Sequence, residues 1–141
     1  MTQHQLESLS HEECWTFVSS RQVGRFVYNE VSGPVAVPVN YGLADQTIVF
    51  RTARDSGPHR ALTENSSFQV DDLHPEEGKG LSVLIRGEAK EIPMGRVSEL
   101  FPHMNQIPRP LAEGVHNTWI VLTPTEVTGR RLGAVYLAAL S

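Results

Sequence analysis

Apolar positions change their spacing after the first twenty residues. Near the N-terminus Cys14, Phe17 and Val18 fall at helical intervals, and from Val23 onward the period shortens toward two. Ser10-His11-Glu12-Glu13 is a capping box, a hydroxyl followed three residues later by a carboxylate, and it opens a short helix to about Ser20. Val23 to Tyr28 is rich in strand formers, and Asn29 to Pro34 supplies Gly and Pro for a turn. Val35, Val37 and Val39 then alternate with Ala36, Pro38 and Asn40, and a turn over Gly42 to Gln46 leads to a strand from Thr47 to Thr52. Arg54 to Glu64 predicts a polar turn with a short helix over His59 to Glu64. Phe68 to Asp72 reads as a strand, His74 to Gly80 as a turn, and Leu81 to Ile92 as a long alternating strand. That alternation puts Ser82, Leu84 and Arg86 on one face and Val83, Ile85 and Gly87 on the other, with Glu88 as the expected partner of Arg86. Met94 to His103 predicts a helix with Val97, Leu100 and Phe101 on one face, followed by a Pro-rich loop from Pro102 to Pro110. Thr118 to Leu122 and Val127 to Leu132 are the last two strand candidates.

Six or seven short strands with two or three short helices leave no room for a helix between successive strands. The fold class is therefore mainly β (α+β), a closed or partly closed antiparallel barrel with a few short flanking helices. The length of 141 residues suits one domain over residues 1–141, with its core at about 9–132. A content of 40% hydrophobic and 20% charged residues is that of a globular protein, and the net charge of −4 offers no field for nucleic acid. The N-terminal stretch Met1 to Ser10 is polar, and the apolar run around Leu132 to Leu140 is too short to cross a bilayer, so the expectation is a cytoplasmic protein without membrane contact. A lone cysteine, Cys14, forms no internal disulfide and reads as a small core residue. Six scattered histidines suggest no metal site. Asn65-Ser66-Ser67 reads as an incidental glycosylation sequon.

The usual nucleotide-binding glycine loops and the Gly-x-Ser-x-Gly elbow are absent from the sequence. This suits a protein whose chemistry belongs to an organic cofactor, which the chain need only hold and shield. Phe50 to Arg60 joins a strand end to a short helix through a Gly turn, and Arg51, Thr52, Ser56 and Arg60, with His59, are donors of the kind a phosphate needs. The same residues also read as a solvated turn with a capped helix. In Val37 to Tyr41, Pro38 removes a ladder donor and exposes neighbouring backbone, while Asn40 offers both donor and acceptor to a heteroaromatic edge. Trp119 with Arg130 and Arg131 reads equally as barrel closure, interface or ligand wall.

Six blocks in order, Val23-Gly24-Arg25-Phe26, Val37 to Tyr41, Ile48 to Ala53, Phe68 to Asp72, Gly80 to Gly87 and Val127 to Arg131, resemble the FMN-binding split-barrel family that includes pyridoxamine 5′-phosphate oxidase, in its actinobacterial-type group. The resemblance implies a split β-barrel and a homodimer with FMN at the interface. It places Pro38, Val39, Asn40 and Tyr41 beside the isoalloxazine ring, and Phe50, Arg51 and Thr52 at ring and phosphate. Ser56 with Arg60 or His59 would hold the phosphate, and Ser82 would lie near the phosphate or ribityl chain. The implied activity is flavin-mediated hydride transfer to or from a small molecule, with no assigned acid or base; Tyr41, His59 and Arg130 are candidates only. The alternatives are a non-catalytic binding module for flavin, deazaflavin or haem, and a barrel without cofactor.

Overall fold

The computed structural model describes residues 6–61, 65–109 and 118–133. Helix α1 (His11–Ser19) begins as its capping box dictates: the Ser10 hydroxyl accepts from the Glu13 amide at 3.1 Å and the Glu13 carboxylate accepts from the Ser10 amide at 2.9 Å. It buries Cys14, Trp15, Phe17 and Val18 against the barrel. Arg131 also donates to Glu13, and the Ser10 amide together with this guanidinium holds the Glu13 carboxyl below the ordinary glutamate range. A carboxyl whose pKa falls on folding stabilises the fold above its unfolded value and loses that contribution as pH falls through its folded value. The melting-temperature gap between the native protein and Glu13→Gln is therefore expected to be widest near neutral pH and to close below about pH 4; a gap that widens on acidification would contradict this.

Seven strands follow an antiparallel scheme: β1 (Leu6–Ser8), β2 (Val23–Glu30), β3 (Gly33–Ala44), β4 (Thr47–Thr52), β5 (Ser66–His74), β6 (Lys79–Ile92) and β7 (Thr118–Leu132). Their order is β1-β7-β4-β3-β2-β5-β6, and pairing of β6 with β7 closes the sheet into a barrel. The alternating valines behave as the period demands, with Val35, Val37 and Val39 packing inward on a core that holds Phe26, Phe50, Phe68, Ile85 and Ile120. A second, smaller cluster of Ala44, Val49, Val97 and Trp119 lies between β4, β7 and residues 94–103. No described helix is long and apolar enough to cross a membrane.

Five local expectations are corrected. The turn expected over Asn29 to Pro34 tightens, because β2 runs to Glu30 and β3 resumes at Gly33; likewise Gly42 to Ala44 stay in β3 and only Asp45 and Gln46 turn. The two terminal strand candidates are one strand: opposite the Arg86/Gly87 irregularity, Arg86 pairs with Glu126 and Gly87 with Pro124, so Thr125 is the extra residue of a bulge that absorbs the proline. Gly87 suits this bend, since a Cβ there would collide with the Thr123 carbonyl. The helix expected over Met94 to His103 is instead two 3₁₀ segments, Met94–Glu99 and Phe101–His103, interrupted where Pro102 offers no N–H. Arg86 pairs with its ladder partner Glu126 at 3.7 Å rather than with Glu88, whose carboxylate is engaged by Lys90 at 2.8 Å.

Candidate functional site

β3 and β4 pair only from Tyr41↔Phe50 to Ala44↔Thr47. Beyond Tyr41 the strands part: β3 continues with β2 alone, and Arg51 and Thr52 continue with β7 opposite Trp119 and Thr118. Pro38 is tolerated because β3 is a one-sided edge there, paired only with Arg25 of β2. Where the strands diverge, a cleft of about 640 Å³ opens, lined by Asn40, Tyr41, Arg51, Gln22 and the segment Gln106 to Arg109. Arg51 is half-buried, and its guanidinium lies 5.0 Å from the Trp119 ring centroid, a cation–π contact that fixes its direction.

The far wall is a strap, residues 104–109, stitched to β3. Met104 bridges to Ala44, the Asn105 amide donates to the Leu43 carbonyl at 3.0 Å, and the Leu43 amide donates to Asn105 Oδ1 at 2.8 Å. Gln106 Nε2 donates to the carbonyls of Tyr41 at 2.9 Å and Arg21 at 3.2 Å. The strap lies so close to β3 that a Cβ on Gly42 would collide with the Gln106 carbonyl. Gly42→Ala is therefore expected to push the strap outward at a cost of about 1–3 kcal/mol, read as a lower melting temperature and faster hydrogen exchange at the Asn105 amide. Unchanged exchange there would show that the strap is not held by this contact.

Below the cleft, the turn into α2 (Gly57–Arg60) is internally satisfied. Thr52 Oγ1 and Ser56 Oγ lie 2.8 Å apart, and Ser56 caps α2 by accepting from the His59 amide. His59 Nδ1 accepts from the Asp55 amide at 2.8 Å, so Nε2 carries the proton in the neutral ring and donates to Glu91 at 2.7 Å. Arg54 approaches the same carboxylate at 3.6 Å. Arg60 points away from the cleft, lining a separate hollow with Asn29 to Ser32, Gly57 and Ala61. Burial and the Glu30 carboxylate push the neighbouring Tyr28 hydroxyl up, and Arg60 acts in the opposite sense.

The structure thus brings Asn40, Arg51 and the Tyr41 backbone together, with Pro38 exposed two residues upstream. The side chains of Tyr41 and Phe50 are buried in the core, and Val39 packs against it. The Tyr41 hydroxyl donates to the Val18 carbonyl, and burial pushes its pKa up, so it holds its proton. Ser82 and Arg130 sit opposite each other on the outer face of β6 and β7, beside a hollow of about 340 Å³ that also includes Gln69 and Thr128. Sequence reasoning missed Gln22, Gln106 and Arg109 as cleft residues and Glu91 as the partner of His59. A local pattern finds none of these, since the Gln106 bonds span 65 and 85 residues.

An antiparallel barrel split between β3 and β4, with a polar cleft at the split, defines the class of protein. The sequence matches the family described as pyridoxamine 5′-phosphate oxidase over residues 10–131, and the chain belongs to that family. The uncharacterized protein Rv0080 of Mycobacterium tuberculosis is 25% identical over 132 residues, covering 89% of this chain and 85% of its own. A structure of an FAD-binding protein from Mycobacterium smegmatis is 28% identical, with a TM-score of 0.67 over 90% of this chain and 98% of its own. A second protein of that organism, which binds FAD and haem, shares the fold at a TM-score of 0.69 and 16% identity, covering 90% of this chain and 74% of its own.

Proposed function

We propose that the chain holds the FMN moiety of a flavin in the cleft between β3 and β4 and serves as a flavin-dependent oxidoreductase acting on a small molecule. The observation that carries this reading is the donor set. The inner part of the cleft presents the Arg51 guanidinium and the side-chain amides of Gln22 and Asn40, with no carboxylate among the described lining residues. Such a set suits an anionic ligand with a hydrogen-bonding heteroaromatic ring. In the turn below, by contrast, Glu91 faces His59 and Arg54, and a phosphate placed there would meet a carboxylate.

In this reading Arg51, held against Trp119, binds the phosphate, and Asn40 orients the ring edge through its amide. The strap keeps bulk water from one side of the cleft, with buried Pro108 at its base. A bound flavin supplies hydride transfer to or from the small molecule. Val23, the ladder partner of the cleft residue Asn40, is exposed, and a second copy of the chain packed over that side would cover the ring. The family match and the FAD-binding relative at 28% identity support the flavin reading.

The test is titration of purified protein with FMN and with FAD, followed by flavin fluorescence and absorbance, alongside sedimentation. Saturable binding of one flavin per chain by a dimer is expected. A folded protein that takes up haem but no flavin, or that takes up neither, would overturn the proposal.

A further inference from the structure

The strap delivers a second cation to the cleft. Asn105 and Gln106 spend their side chains on backbone groups of Leu43, Tyr41 and Arg21, so the register of the strap against β3 is fixed and Arg109 follows three residues later on the cleft wall. Elsewhere, Arg21, Arg25, Arg54, Arg86, Arg96 and Arg131 each lie 3.7 Å or less from a carboxylate oxygen, while Arg60 and Arg130, which have no ion pair among the described residues, line hollows outside the cleft. Arg109 has no ion pair or hydrogen bond among the described residues, in a chain whose net charge is −4 and whose acids outnumber its Lys and Arg by 16 to 12. Arg109 is exposed and shares the cleft lining with Arg51, so an anion held there can draw on both guanidinium groups.

We propose that Arg109 is a specificity-determining residue that adds a second oxyanion subsite to the cleft, beyond the one formed by Arg51. This rests on the flavin reading for the first subsite. A ligand with two anionic groups is then held better than one with a single phosphate. The second oxyanion has two sources, the outer phosphate of a dinucleotide flavin or an acidic group on the small molecule that meets the flavin. Both present oxygens to the planar fork of an arginine.

The test compares the native protein with Arg109→Ala and Arg109→Lys, using FMN, FAD and inorganic pyrophosphate as separate titrants by calorimetry, with melting curves to confirm that each variant is folded. Arg109→Ala is expected to weaken pyrophosphate and FAD at least tenfold and FMN less than twofold, with partial recovery in Arg109→Lys. Weakened pyrophosphate with FMN and FAD both unchanged supports the subsite and assigns it to an acidic small molecule. Native protein that binds pyrophosphate through Arg109 but binds no flavin supports the subsite while refuting the flavin reading. FMN and FAD weakened alike, or pyrophosphate and FAD both indifferent to Arg109→Ala, overturns the proposal.

Discussion

Arg51→Ala is expected to weaken flavin binding ten- to one-hundredfold, while the flavin-free protein melts within a few degrees of the native one. The asymmetry follows from where Arg51 spends its energy. Arg51 lines the cleft, and its guanidinium lies 5.0 Å from the Trp119 ring centroid. Removing the ring contact costs the empty protein about 0.5–1 kcal/mol. Removing a charged hydrogen bond to a phosphate costs the complex about 1.5–3 kcal/mol, and each 1.4 kcal/mol is about tenfold in affinity. Arg60→Ala is the contrasting control: Arg60 borders the β2–β3 hairpin rather than the cleft, so its loss should change affinity by less than about twofold. Fluorescence titration of both variants measures the difference, and a larger effect at Arg60 than at Arg51 would move the phosphate to α2.

Phe50→Ala is expected to show the opposite signature. The Phe50 side chain is fully buried, with its ring 4.9 Å from that of Phe26 and 6.2 Å from that of Phe68. Truncating it empties the centre of the barrel at a cost of about 3–5 kcal/mol, or roughly 10 °C in melting temperature for a domain of this size. The adjacent residues Phe50 and Arg51 are therefore expected to separate cleanly, the inward one affecting stability and the outward one affinity for the proposed ligand. A thermal melt with less than about 3 °C of change in Phe50→Ala would contradict the packing described.

The strand pattern was legible wherever burial is one-sided. Val35, Val37 and Val39 announce β3, and the Ser10 to Glu13 box announces α1, because each signal is local. It failed where long-range contacts override local chemistry. Gly42 reads as turn, yet the strap packs on it and keeps it in the strand; Pro124 reads as a break, yet a bulge opposite Gly87 carries the strand past it. The site divided in the same way. Asn40 and Arg51 were legible as cleft residues from local chemistry, an amide beside a strand proline and a guanidinium at a strand end. Gln22, Gln106 and Arg109 were not, because they reach the cleft from the end of α1 and from a distant loop with no spacing to mark them. His59 and Arg60 follow Ser56 so closely that a shared phosphate turn was the natural reading, yet Glu91 engages His59 and Arg60 leans toward Tyr28.

The central claim is that the β3/β4 cleft, and not the α2 turn, holds the flavin. Amide chemical-shift mapping during an FMN titration of isotopically labelled protein tests it most directly. The account predicts the largest perturbations at Gln22, Asn40, Tyr41, Arg51 and Gln106, with Val31, Ser32 and Arg60 nearly still. Saturable shifts centred on Arg60 and Ala61, with Asn40 and Arg51 unmoved, would contradict it.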